Sequence, residues 1–187
     1  MSSGIQSHWS RIGLGTGTLA SLGRSASLRD VENLLAAMRE SGVSVIDTAD
    51  SYASGGSERL LGAALRRCGG GFAIVTKAGY RYTDFPGPLR PLNHLFKKII
   101  HRYGNRQCFE PGYLRNSLER SLARLGQERV EAFLLHNPPE EAVTCSRVRD
   151  TLARMIRDGK VAKTGVSSFI PSVISQAIRT GGYMGAR

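Results

Sequence analysis

Cysteine is scarce in this chain, and the three present, Cys68, Cys108 and Cys145, form no C-x-x-C pair. An odd, scattered set indicates neither a disulfide framework nor a cysteine zinc site. It fits a reducing compartment, the cytoplasm. All three read as small apolar filler. Long apolar runs are missing as well, for no stretch approaches the roughly 20 residues of a membrane span. The start, MSSGIQSHWS, has no basic segment followed by an apolar one, so it does not read as a secretory signal. Acidic residues also run short: 15 Asp and Glu face 26 Lys and Arg, a formal net charge of +11. Such a field attracts anionic partners. Yet there is no zinc-finger, helix-turn-helix or RNP pattern, and no basic-aromatic platform, so nucleic acid ranks last among the partners.

What is present is ordinary globular composition, 41% apolar and 22% charged, over 187 residues, which we treat as one domain spanning 1–187. Short, nearly continuous apolar runs at Ile12–Gly15, Val43–Ile46, Phe72–Thr76, Val130–Leu135 and Val161–Val166 read as parallel strands covered on both faces. A helical pattern follows each. Val31, Leu34, Leu35 and Met38 share one face before Gly42. Ser57, as an N-cap, opens a run with Leu60, Leu61, Ala64 and Leu65. Pro111 opens a third, with Leu114, Leu118, Leu122 and Leu125 before Gly126. Val148, Leu152, Met155 and Ile156 precede Gly159, and Pro171 opens the last, through Val173, Ile174, Ala177 and Ile178. Strand and helix thus alternate five times, which predicts an α/β fold. Its architecture is either an open doubly wound sheet or a (β/α) barrel.

In both architectures the site lies beyond the carboxyl ends of the strands. Four successive strands end in Asp47, in Thr76-Lys77, in His136-Asn137 and in Ser167-Ser168, with Tyr52 five residues past Asp47. A carboxylate, an ammonium, an imidazole and a phenol on one rim form a proton-transfer set. A free phenol has a pKa of about 10 and is a poor acid near neutrality. A nearby lysine favours the phenolate and lowers that value. A carboxylate keeps the lysine charged and in place, and a histidine hydrogen-bonds the substrate oxygen. None of these groups supplies a hydride, so a reduction needs a cofactor.

The chain resembles the aldo-keto reductase family of NAD(P)H-dependent enzymes on a (β/α)8 barrel. The resemblance runs from about Arg11 to Ser168 through Gly13-Leu14-Gly15-Thr16, Ile46-Asp47-Thr48-Ala49 with Tyr52, Ser57-Glu58 and Leu61-Gly62. It continues through Thr76-Lys77, Ser117-Leu118 to Leu125-Gly126, Leu135-His136, and Gly159-Lys160 leading to Gly165-Val166-Ser167. It implies a catalytic tetrad of Asp47, Tyr52, Lys77 and His136, with Tyr52 as general acid/base. It implies NADP or NAD as cofactor, held by Gly15, Thr16, Asp47, Ser167 and Ser168, and a small aldehyde, ketone or sugar as substrate. It departs at Ser168, where the family carries an amide, and at Ala53, where a glycine commonly follows the tyrosine. It also implies a partial barrel of about five strands and five main helices. The last three βα units, with the adenosine-phosphate site, fall past Arg187. The alternative expectation is therefore a truncated, inactive fragment or interaction subunit, with self-association through exposed edges at the first and fifth strands.

Three other features have plainer readings. Gly15-Thr16-Gly17-Thr18-Leu19-Ala20 matches G-x-G-x-x-A, but Leu22-Gly23-Arg24-Ser25 interrupts any helix there, so it reads as a loop. The long connection from Ala78 to Glu110 carries Leu92, Leu95, Phe96, Ile99, Ile100 and Tyr103 on one helical face, with Lys97, Lys98, His101 and Arg102 largely off it. We expect a short helix walling the substrate site rather than a membrane-surface helix. His94 and His101 do not share a ligand face, so no metal is expected.

Overall fold

A computed structural model describes residues 10–21, 24–83, 107–181 and 183–185. The helical face expected between Leu92 and Tyr103, with His94 and His101, lies outside the described residues. In chain order the elements are β1 (Gly13–Gly15), β2 (Ala20–Ser21), β3 (Arg24–Ser25), α1 (Leu28–Glu40), β4 (Val45–Asp47), α2 (Gly56–Cys68) and β5 (Ala73–Ala78). They continue with α3 (Pro111–Leu125), β6 (Val130–His136), α4 (Glu140–Thr144), α5 (Ser146–Arg157), β7 (Val161–Ser167), α6 (Pro171–Thr180) and β8 (Met184–Gly185).

The helix ends follow local chemistry. Ser27 caps α1 in a reciprocal box: its hydroxyl accepts from the Asp30 N–H, and the Asp30 carboxylate accepts from the Ser27 N–H at 2.8 Å. Pro111 stands at the first position of α3, and Gly126 closes that helix in the left-handed region. One expectation is corrected. Ser57 is not the cap of α2: the helix begins after Gly55, whose backbone is left-handed, and no side chain caps it. The Ser57 hydroxyl instead donates to the Thr16 carbonyl at 3.2 Å, tying α2 to the loop after β1. Just before α6, Ser168 Oγ accepts from the Ile170 N–H at 3.1 Å.

The main sheet is parallel, in the order β1-β4-β5-β6-β7-β8, and β2 and β3 form a separate antiparallel pair. Strand order follows chain order throughout. A doubly wound sheet must reverse direction once, so this is the winding of a barrel wall. The fifth strand of the sequence reading, β7, is not an edge, because Gly165 and Val166 pair with Met184 and Gly185 of β8. The periodicity of the sequence also misses α4 and the β2–β3 pair, both too short to show a repeat.

One-way winding puts the helices on one side. The large core joins α1, α2, α3, α5 and α6 to the strand residues Ile46, Ile74, Phe133, Leu135 and Val166. The opposite face carries a small cluster, Val75, Ala132 and Leu134, with Val45 packed on it. Among the described residues no helix is long and apolar enough to cross a membrane.

Helices α2 and α3 approach closely at Gly62, where a Cβ would lie 2.2 Å from the Arg124 carbonyl oxygen. Backbone cannot step aside as a side-chain tip can. Gly62→Ala is expected to lower stability by about 1–3 kcal/mol despite the better helix propensity of alanine. Gly112→Ala, in open space at the start of α3, should lower it not at all. Urea midpoints of the two variants check this.

Candidate active site

Side chains alternate across a strand, so the inner face continues the rows begun by Val45, Val75 and Leu134. The next residues inward on those rows are Asp47, Lys77 and His136. The register pairs Gly15 with Asp47, Asp47 with Val75, Lys77 with Leu134 and His136 with Ser167. The stagger brings all of them to one rim.

Lys77 is the anchor. It is buried, 4% exposed against 43% for the Asp47 side chain, and its Nζ donates to Asp47 Oδ1 at 2.6 Å and to the Thr48 carbonyl at 2.8 Å. Burial lowers its pKa, and the carboxylates of Asp47 and Glu58 oppose that shift. Lys77 Nζ lies 5.3 Å from the centroid of the Tyr52 ring. The His136 ring stands edge-on to Tyr52 at 5.9 Å and to Tyr80 at 4.9 Å. The four expected tetrad residues therefore form one contiguous group.

Tyr52 reaches this group on a tightly held loop. The Thr48 N–H donates to the Val75 carbonyl at 2.8 Å and the Asp50 N–H to the Lys77 carbonyl at 3.0 Å, extending the ladder past β4. Three left-handed residues follow, Ala53 (φ 49°), Ser54 (φ 52°) and Gly55 (φ 78°). That backbone explains why a glycine suits the place of Ala53: an alanine there carries a local strain of about 1–2 kcal/mol. The Tyr52 ring is half-buried and faces the backbone of Gly17, where a Cβ would sit 3.7 Å from it.

Electrostatics correct one expectation. Lys77 was to lower the phenol pKa of Tyr52. Instead burial raises it, and the Asp47 carboxylate raises it further. His136 is pushed down to about 4 by burial and then by the Lys77 charge, so its imidazole is neutral at pH 7. Its Nδ1 is buried with no hydrogen-bond partner among the described residues.

The expected cofactor residues divide. Gly15 is exposed on the rim with open space where a Cβ would stand, and Ser167 and Ser168 are half-buried beside the end of β6. Thr16 is fully buried; its N–H donates to the Asp47 carbonyl at 2.9 Å, and its hydroxyl has no partner among the described residues. Among those residues no three potential ligands could hold a metal ion.

Several residues around the site carry no role in the sequence reading. Tyr80 walls His136, and its hydroxyl accepts from Asn137 Nδ2 at 3.0 Å, while the Asn137 carbonyl accepts from Gln107 Nε2 at 2.6 Å. An aromatic three residues past Lys77, just beyond a strand end, is the one signal that pointed to Tyr80. Behind the sheet, Glu58 pairs with Arg124, and Asp50 is fully buried near them. Neither Asp50 carboxyl oxygen makes a hydrogen bond of ordinary geometry among the described residues. Burial, then the negative charge of Glu58, raise the Asp50 pKa to about 8, against the pull of Arg124.

Two outcomes follow from this loop. The folded chain keeps the Asp50 proton up to about pH 8, whereas the unfolded chain releases it near the ordinary 3.8. Asp50 therefore costs stability progressively as pH rises between those values, and the cost levels off above them. Asp50→Asn should flatten that slope, gaining on the parent most at pH 8 and least at pH 4, in urea melts across the range. Ala53→Gly should raise stability by up to about 1 kcal/mol, the relief of left-handed strain less the entropy of glycine. A lower urea midpoint would contradict it.

The comparisons with known proteins agree with the fold. The model of the Aldo/keto reductase family matches residues 11–185. Aldo-keto reductase YhdN of Bacillus subtilis is 28% identical over 164 residues, covering 86% of this chain and 44% of that protein. D-threo-aldose 1-dehydrogenase of Pseudomonas sp is 26% identical over 174 residues, covering 90% of this chain and 53% of that protein. The structure of glycerol dehydrogenase AKR11B4 from Gluconobacter oxydans superposes with a TM-score of 0.73 at 25% identity, covering 97% of this chain and 51% of that one. The chain thus spans about half the length of these relatives, and its wall of parallel strands is part of their barrel. With the match extending over nearly all its residues, this chain belongs to the Aldo/keto reductase family.

Proposed function

We propose that this chain carries the proton-transfer apparatus for NAD(P)H-dependent reduction of an aldehyde, ketone or sugar carbonyl, with Tyr52 as general acid/base. The observation that supports it best is the grouping of Tyr52, a buried ammonium and a neutral imidazole on one rim. The rim also suits the amide end of a nicotinamide. The half-exposed Asp47 carboxylate would accept an amide N–H, the hydroxyls of Ser167 and Ser168 would donate and accept, and Gly15 leaves room for close approach. When bound, the cofactor supplies the hydride.

The residues divide the remaining work. His136, neutral at pH 7, donates an N–H to the carbonyl oxygen and polarises it. As the carbonyl carbon gains hydride, Tyr52 Oη gives its proton to that oxygen. The phenolate that results faces the Lys77 ammonium, which is drawn from Asp47 toward the new charge. In the oxidative direction the phenolate takes the alcohol proton back. Free cysteines suit a reducing cytoplasm, and the outer edges of β1 and β8 offer backbone groups to a second copy.

The second reading is a scaffold without catalysis; the chain spans about half the length of the relatives it matches. Calorimetry separates the two, since the scaffold binds neither NADPH nor NADH saturably. On the catalytic reading the chain consumes NADPH in the presence of an aldehyde. Tyr52→Phe should slow this about 10²–10⁴-fold while leaving nucleotide affinity unchanged. Equal rates for parent and variant would overturn the assignment of Tyr52.

A further inference from the structure

Behind the sheet, on the face away from the candidate substrate, lies a charged group that the proton-transfer steps do not use. Glu58, in the first turn of α2, is fully buried. Its Oε1 accepts from Thr76 Oγ1 at 2.6 Å, and its Oε2 accepts from Arg124 Nε at 2.7 Å and pairs with Arg124 Nη2 at 2.7 Å. The two contacts end beside the two residues on which the chemistry rests. Thr76 precedes Lys77 in β5, so alternation puts the hydroxyl behind the sheet and the ammonium in front. Arg124 lies under Gly55, the last of the three left-handed residues after Tyr52. A Cβ on Gly55 would meet Arg124 Cδ and Nε at 2.9 Å.

We propose that Glu58, through its ion pair with Arg124 and its hydrogen bond to Thr76, is a positioning residue that fixes Tyr52 and Lys77 relative to one another from the far face of the sheet. This rests on the reading of Tyr52 and Lys77 as the proton-transfer pair. Packing alone does not account for the arrangement. Apolar residues of equal volume would join α2, α3 and β5 at least as tightly, because burying a charged pair costs desolvation. The ionic version adds direction and field. A carboxylate with both oxygens engaged holds Thr76 and Arg124 at set angles. Its charge also favours the Lys77 ammonium through the sheet. The groups facing Lys77 are then Asp47, Tyr52 and His136 in front and Glu58 behind.

The test uses the full chain and the variants Glu58→Gln, Thr76→Val and Thr76→Ser. It reads urea stability, the titration of Lys77 and Tyr52 by NMR of labelled lysine and tyrosine, and the kinetics of aldehyde reduction. Glu58→Gln should make Lys77 titrate at lower pH than the parent. Thr76→Val should lower kcat roughly 10- to 100-fold with little change in KM, and Thr76→Ser should restore it. Folded variants with parental kcat and parental titration of both residues would overturn the proposal. If Glu58→Gln does not fold, Thr76→Val decides, since it leaves the ion pair in place. If the parent chain reduces no aldehyde, the proposed function fails separately. The titrations then decide this inference alone, a shift upholding it and parental values overturning it.

Discussion

When each parallel strand is joined to its nearest neighbour, every connecting helix must fall on the same side of the sheet. That constraint shapes the rest of this structure. The helices and their leucines take one face, where Leu35, Leu61, Leu114, Leu118, Leu125 and Leu152 are fully or almost fully buried. The other face is left to a few small and branched residues, Val45, Val75, Ala132 and Leu134. Polar groups are therefore admissible at its carboxyl end, and alternation and stagger deliver Asp47, Lys77, His136 and Ser167 there. Placing the same residues one position earlier or later would turn them into the helical core.

β5 shows how closely the two faces are coupled. Adjacent residues, Thr76 and Lys77, look in opposite directions, and each meets a carboxylate, Glu58 behind and Asp47 in front. Both carboxylates are balanced by a cation, Arg124 and Lys77. Asp50, the third acid in the region, has no cation to itself and gives up its charge instead. Formal charge in this interior is thus arranged in pairs, with the unpaired acid neutral at pH 7.

Much of this was legible beforehand because it is local. Apolar runs marked the five long strands to within about two residues, and helical spacing marked the five main helices. The strand-end positions of Asp47, Lys77 and His136 followed from the same reading. Tyr52 was read from its place five residues past Asp47, and the resemblance added its role as general acid/base. Periodicity left the choice between barrel and doubly wound sheet open, because it depends on strand order, which no local pattern encodes; the resemblance pointed to the barrel, and the strand order agrees. The Glu58–Arg124 pair was not legible, because its partners sit on different helices 66 positions apart. Ser57 misled for a related reason. It has the chemistry of a cap, but a left-handed backbone turn starts α2 and frees its hydroxyl for Thr16. β8 has only two residues, too few to show any alternation.

The left-handed run from Ala53 to Gly55 also makes the rim depend on a distant part of the chain. Its strain is local, but the side chain beneath it, Arg124, belongs to a helix far along the sequence. A turn that costs free energy by itself persists only where the surrounding structure over-determines it. The place of the tyrosine at the rim is therefore set by α3 as well as by its own loop.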